Sequence, residues 1–256
     1  MPSYPILIAI TALALSADFA VEIPPVSTSL NISGQTVAIA ISGDISAAPG
    51  KTGESKSGEN DQAFRLNLRA DLADFQGHLT PVLQAELNQS NKCGERISVE
   101  NATLAPAAPA GRLTVQLHFE KWACIKAFGK ENARRLVAGN GTVEVLLMPR
   151  IEQGNAVRLD ADVGRIDADG SLGELLRSGS LGPALRDKIR EALLKAIQKS
   201  ADFNVVVPEQ ARPFVSLQSI AFADAGGGRL SLDLAGRFMA PGANVSSLLD
   251  QFRNRK

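Results

Sequence analysis

The chain has 256 residues and no net charge, with 27 basic against 27 acidic side chains. That balance supplies no long-range attraction to nucleic acid, and two cysteines without clustered histidines are not a zinc signature. A hydrophobic content of 45% is enough for a real core, and the length allows one large domain or two small ones.

Ile6 to Leu15 is an apolar run broken only by Thr11 and followed by the small residues Ser16 and Ala17. It is too short to span a bilayer and reads as a secretory signal over residues 1–20, with the mature chain starting between Ser16 and Val21. Residues 21–256 are then expected to form one domain, periplasmic or secreted. Within Val26–Ser46, alternating Val37, Ile39 and Ile41 mark a strand. Residues 47–62 carry no large apolar side chain and read as a flexible loop.

Phe64, Leu66 and Leu68 alternate with Arg65, Asn67 and Arg69, a strand with one wet face. Leu72, Phe75, Leu79, Leu83 and Leu87 follow at helical spacing. Pro81 either kinks this helix or, with Thr80 as its cap, starts the main part. Ile97–Thr103 and Leu113–Phe119 read as a hairpin. Cys93 and Cys124 flank it, and in an exported chain they predict one disulfide that ties the hairpin back to the helix. Lys121–Gly139, rich in Lys and Arg, reads as a loop with a helical turn. Its Lys126, Lys130, Arg134 and Arg135 suit contact with anionic lipid headgroups, or a plain solvated face.

Val143, Val145 and Leu147 give another strand, and Val157, Leu159, Ala161 and Val163 alternate more cleanly than any other stretch. Ser171 with Glu174 predicts a capped short helix. From Ser180 to Ser200, Leu181, Leu185, Ile189, Leu193 and Ile197 recur every fourth position and draw an apolar stripe along a long helix, with Pro183 in its first turn. Phe214–Phe222 and Leu230–Phe238 read as a hairpin closed by three glycines, and Val245–Phe252 as a terminal helix. Helices in two isolated places exclude Rossmann and TIM architectures and predict an α+β fold with a mostly antiparallel sheet.

The strand-to-helix segment Leu66–Gln89, the strand meander, the long helix and the closing hairpin together resemble the tubular lipid-binding (TULIP) superfamily, over roughly Leu66–Phe238. The resemblance implies a long twisted sheet wrapped around two amphipathic helices, with an apolar groove for lipid chains.

Little in the chain suits catalysis. His78 and His118 are the only histidines, and His118 lies in the polar phase of its strand. Asp160, Asp162, Asp167 and Asp169 lack the glutamate that an EF-hand needs at its twelfth position. Gly226–Gly228 has no Lys-Ser/Thr partner for phosphate. The expectation is therefore a non-catalytic protein, without metal or cofactor, that binds a lipid or another apolar small molecule. Its wall would be Leu185, Ile189, Leu193 and Ile197 facing Val157, Leu159, Val163, Leu230, Leu232 and Leu234. The same residues would serve equally as a packed core. The alternative function is a structural or protein-interaction component of the cell envelope, with an unspecified protein partner.

Overall fold

A computed structural model describes residues 20–47, 62–88, 93–127, 130–152, 155–177 and 214–240, together with Pro183, Asp187, Arg190, Glu191, Leu194 and Lys195. Among them are nine strands and two helices: β1 (Ala20–Ile32), β2 (Gln35–Ala47), β3 (Gln62–Asp71), α1 (Ala73–Leu87), β4 (Gly94–Ala107), β5 (Ala110–Ala127), β6 (Lys130–Ile151), β7 (Val157–Ala168), α2 (Gly170–Arg177), β8 (Val215–Asp224) and β9 (Leu230–Ala240). The expected signal segment up to residue 19, the expected loop at 48–61, most of the stretch expected as a striped helix and the expected C-terminal helix lie outside the described residues.

The strands pair antiparallel in two sheets. One has the order β1-β2-β3-β9-β8, the other β4-β5-β6-β7. This corrects the expectation of one long sheet wrapped around two amphipathic helices. The physical reason is alternation: most strands have one apolar face, and these faces meet in one cluster that α1 joins with its own buried side chains rather than in a sheet wrapped around it. Phe64, Leu66, Leu68, Leu230, Leu232 and Leu234 from the first sheet join Leu113, Val115, Val143, Val145, Val157 and Leu159 from the second in one hydrophobic cluster.

Val26–Ser46, read from the sequence as one strand, is a hairpin. Ser33 and Gly34 both have positive φ, 48° and 81°, between the paired residues Ile32 and Gln35. That is the turn whose twist matches its flanking strands, and the Ser-Gly pair was its visible signal.

Helix α1 is one helix through Pro81, with Thr80 inside it and not at its start. Its first N–H group, on Ala73, donates to Asp71 Oδ1 at 2.8 Å. Phe75, Leu79, Val82, Leu83 and Leu87 are buried, and that packing outweighs the bond lost at Pro81. The polar residues Gln76, Thr80, Gln84 and Asn88 recur every fourth position beside this face. Gln76 Nε2 donates to the Leu104 carbonyl (2.6 Å), Thr80 Oγ1 accepts from Ala102 N (2.9 Å), Gln84 Nε2 donates to the Val99 carbonyl (2.9 Å), and Asn88 Oδ1 accepts from Val99 N (2.7 Å). A helix thus stands in for the missing neighbour of edge strand β4. Gln76 Oε1 also accepts from Leu230 N at 2.8 Å, which joins the two sheets at this seam. Asn155 blunts the edge of β8 in the same way, donating to the Val215 carbonyl and accepting from Leu217 N.

Helix α2 starts at Gly170, so Ser171 lies within it and is not its cap; the Ser171 hydroxyl donates to the Ala138 carbonyl. Its Leu172 is buried against β6 at Gly139, where a Cβ would stand 2.8 Å from Leu172 Cβ. Only glycine admits this approach.

Candidate functional site

Val157, Leu159, Leu230, Leu232 and Leu234 are all buried, and Val163 is half-buried against the same cluster. The strands thus bring together the sheet half of the expected wall. Leu185, Ile189, Leu193 and Ile197 lie outside the described residues, but Leu194 from that stretch is half-buried against the same cluster.

Burial is uneven along the four-stranded sheet. At the β6–β7 turn end, Leu104, Leu113, Leu147, Val157 and Leu159 are buried. Toward the other end, on the same apolar face, Val99, Leu117 and Phe119 are buried as well, while Ile97 on edge strand β4, Val163, Ile166 and Ala168 on edge strand β7, and Val137 on β6 are half-buried, as Ile151 is at the turn end.

The end opposite the β6–β7 turn also carries an arm. The Gly94 end of β4 pairs with Trp122, and β7 ends with Ala168 opposite Gly141. Beyond these points β5 and β6 continue alone, pairing Ala123 with Arg134 through to Ala127 with Lys130. This corrects the expected loop with a helical turn at Lys121–Gly139. A two-stranded ribbon is marginal in water. A disulfide between Cys93 and Cys124, with Cα atoms 5.6 Å apart, staples its base to the start of β4. Disulfides of this kind persist in oxidising compartments, so the bond is consistent with an exported protein.

At the arm's base Glu120 organises the wet face. It accepts from Trp122 Nε1 at 2.8 Å and from Arg135 at 3.3 Å, with Arg96 and His118 Nε2 each 3.7 Å away. The indole hydrogen bond, with help from Arg135, holds its carboxyl below the usual glutamate range against the opposing effect of burial. Arg96 stacks 4.7 Å from the Trp122 ring centre. Ile125 and Leu136 are 61% and 55% exposed, more than any other large apolar side chain among the described residues. Leu136 occupies a bulge between the Lys121 and Trp122 pairings, and the backbone continues directly into exposed Arg134 and Arg135. Lys126 and Lys130 belong to the same ribbon.

Other polar candidates have local partners. His118 Nδ1 is 2.6 Å from Asn140 Oδ1, and His78 Nδ1 is 2.9 Å from the Asp74 carbonyl. Asp160 pairs with Arg150, and Asp167 with Arg165. Among the described residues no three His, Cys, Asp or Glu side chains converge as a metal site. Gly226, Gly227 and Gly228, all at positive φ, form the β8–β9 turn. No family model, curated protein or solved structure matches the chain.

Proposed function

We propose that this is an exported, non-catalytic lipid-binding protein that meets a membrane surface through its stapled arm and takes an apolar chain at the arm end of its interior. One observation carries the reading. The end of the four-stranded sheet where Ile97, Val137, Ile166 and Ala168 are half-buried also bears exposed Ile125 and Leu136 beside Arg134 and Arg135. Apolar side chains gain by entering an acyl layer, while Arg and Lys gain near anionic headgroups, by about 1 kcal/mol each. Half-buried Val163 and Ile166 offer a partly formed wall, which the stripe Leu185, Ile189, Leu193 and Ile197 would complete. Kinship with the tubular lipid-binding superfamily belongs to the same proposal, as do the signal segment and a periplasmic or secreted location.

Vesicle flotation tests this directly. The protein should float with phosphatidylglycerol-containing vesicles and less with pure phosphatidylcholine. Ile125→Asp/Leu136→Asp should abolish flotation while leaving the melting temperature nearly unchanged. Trp122, the chain's single tryptophan, would report contact by a blue shift. A parent protein that floats with neither vesicle, and carries no extractable lipid, points instead to a protein-interaction component of the envelope.

A further inference from the structure

The wet face of the five-stranded sheet carries a cleft. Edge strand β1 has a register break between Ile23 and Val26, at Pro24-Pro25, and edge strand β8 has one between Leu217 and Ser219. Such bulges bend a strand and sharpen its twist. Between them lies this cleft of about 720 Å³ that reaches all five strands, within the usual range for small-ligand sites.

Register places its floor in two rows of cross-strand neighbours. One row runs Glu22, Asp44, Asn67, Ala235, Ser219. The next runs Ser42, Arg69, Asp233, Ala221, with Pro24 and Pro25 at its end. Small side chains at Ser42, Ala235, Ser219 and Ala221 make the depression. Arg69 is held by a two-point contact with Asp233, Nε to Oδ1 at 2.8 Å and a terminal nitrogen to Oδ2 at 2.7 Å. Asn67 Nδ2 donates to Asp44 Oδ2 at 3.0 Å. These groups are fixed before any ligand arrives, which lowers the cost of ordering them.

The charges choose the ligand class. An anion would meet Glu22, Asp44 and Asp233. A cation would meet the Arg69 guanidinium in the middle of the floor and the neighbouring Arg65–Arg237 row. A neutral chain of hydroxyl groups meets neither penalty. Carboxylates and the Asn67 carbonyl accept from it, while the serines and Arg69 can donate to it. The prolines offer an apolar wall for the C–H face of a ring. Five strands spaced by about 4.8 Å give a floor about 19 Å across, room for several sugar rings in a row. We propose that this groove binds a neutral oligosaccharide lying across the strands. The inference stands apart from the lipid reading, since the groove is on the face of its sheet turned away from the apolar core.

The test is calorimetric titration of the full chain with neutral cello-, malto- and chitohexaose, and with hexalysine. At least one hexasaccharide should bind, with an affinity changing less than about twofold between roughly 0.05 and 0.5 M salt, because a neutral ligand is not screened. Asn67→Ala/Asp44→Ala should weaken it about tenfold or more, as should Ala235→Met, which fills the floor without removing a polar group. Both variants should keep the parent's melting transition and vesicle flotation. If no hexasaccharide binds, if folded variants bind like the parent, or if only hexalysine binds and salt abolishes it, the proposal is overturned.

Discussion

Arg69 and Asp233 show how far a single pair can be pressed. The hydrogen bond from Arg69 holds the Asp233 carboxyl below its usual value, with its charge adding to the effect and burial opposing it. A carboxylate whose folded value is depressed contributes stability above its unfolded value, and loses it as pH falls through the folded one. Half-exposed Arg69 limits the size, so Arg69→Ala should cost about 0.5–1 kcal/mol near neutral pH. Denaturant titrations should find that difference intact above the unfolded aspartate value of about 3.9 and shrinking as pH falls below it. A difference that is flat down to the lowest pH at which the protein folds would assign the loss to packing of the arginine stem. The spacing of Arg65, Asn67 and Arg69 reveals a wet face, but not that Arg69 meets a residue 164 positions away. That depends on the register of β3 against β9, which no local period encodes.

The elements differ in how openly the sequence declares them. β3, β7 and α1 were legible because each has one buried and one wet face. The arm was not, for the converse reason: a ribbon with no cover on either side buries no face and selects no alternation, so its charges looked like a loop. Its staple should matter accordingly. Cys93→Ser/Cys124→Ser should lower stability by roughly 2–5 kcal/mol, and faster hydrogen exchange should concentrate in β5 and β6 beyond Trp122. Uniform loosening of both sheets would contradict an arm held chiefly by its base. The polar ladder of α1 was equally hidden, because Gln, Thr and Asn at every fourth position pass for a solvated stripe. Thr80→Val keeps shape and removes the acceptor of Ala102 N, leaving a part-buried donor unpaired at a cost of about 1–3 kcal/mol. At the other helix, Gly139→Ala brings a methyl against Leu172 Cβ. Overpacking of about 1–3 kcal/mol should follow there, and Leu172→Gly, which removes that Cβ, should recover part of it in a double-mutant cycle.

At the scale of the whole molecule, both sheets feed one buried apolar cluster, and the half-buried residues of the four-stranded sheet lie mainly on its outer strands β4 and β7. The residues of the expected wall were legible as apolar. Their division between two facing sheets was not, because it follows from long-range pairings such as Phe64 with Phe238. The uneven cover predicts opposite responses to the same substitution. Leu232 is fully buried, so Leu232→Trp should cost about 1–3 kcal/mol or prevent folding, since a packed interior has no spare volume. Ile166 is half-buried against the core, so Ile166→Trp should be tolerated within about 0.5 kcal/mol. If an acyl chain occupies the arm end, the added ring takes its volume, and uptake of a fluorescent fatty acid should fall while the melting temperature holds. Thermal unfolding beside a lipid-displacement titration reads both quantities on both variants. Equal destabilisation at the two positions, with no uptake by the parent, would mean that the interior is packed to both ends and that any lipid contact is confined to the arm.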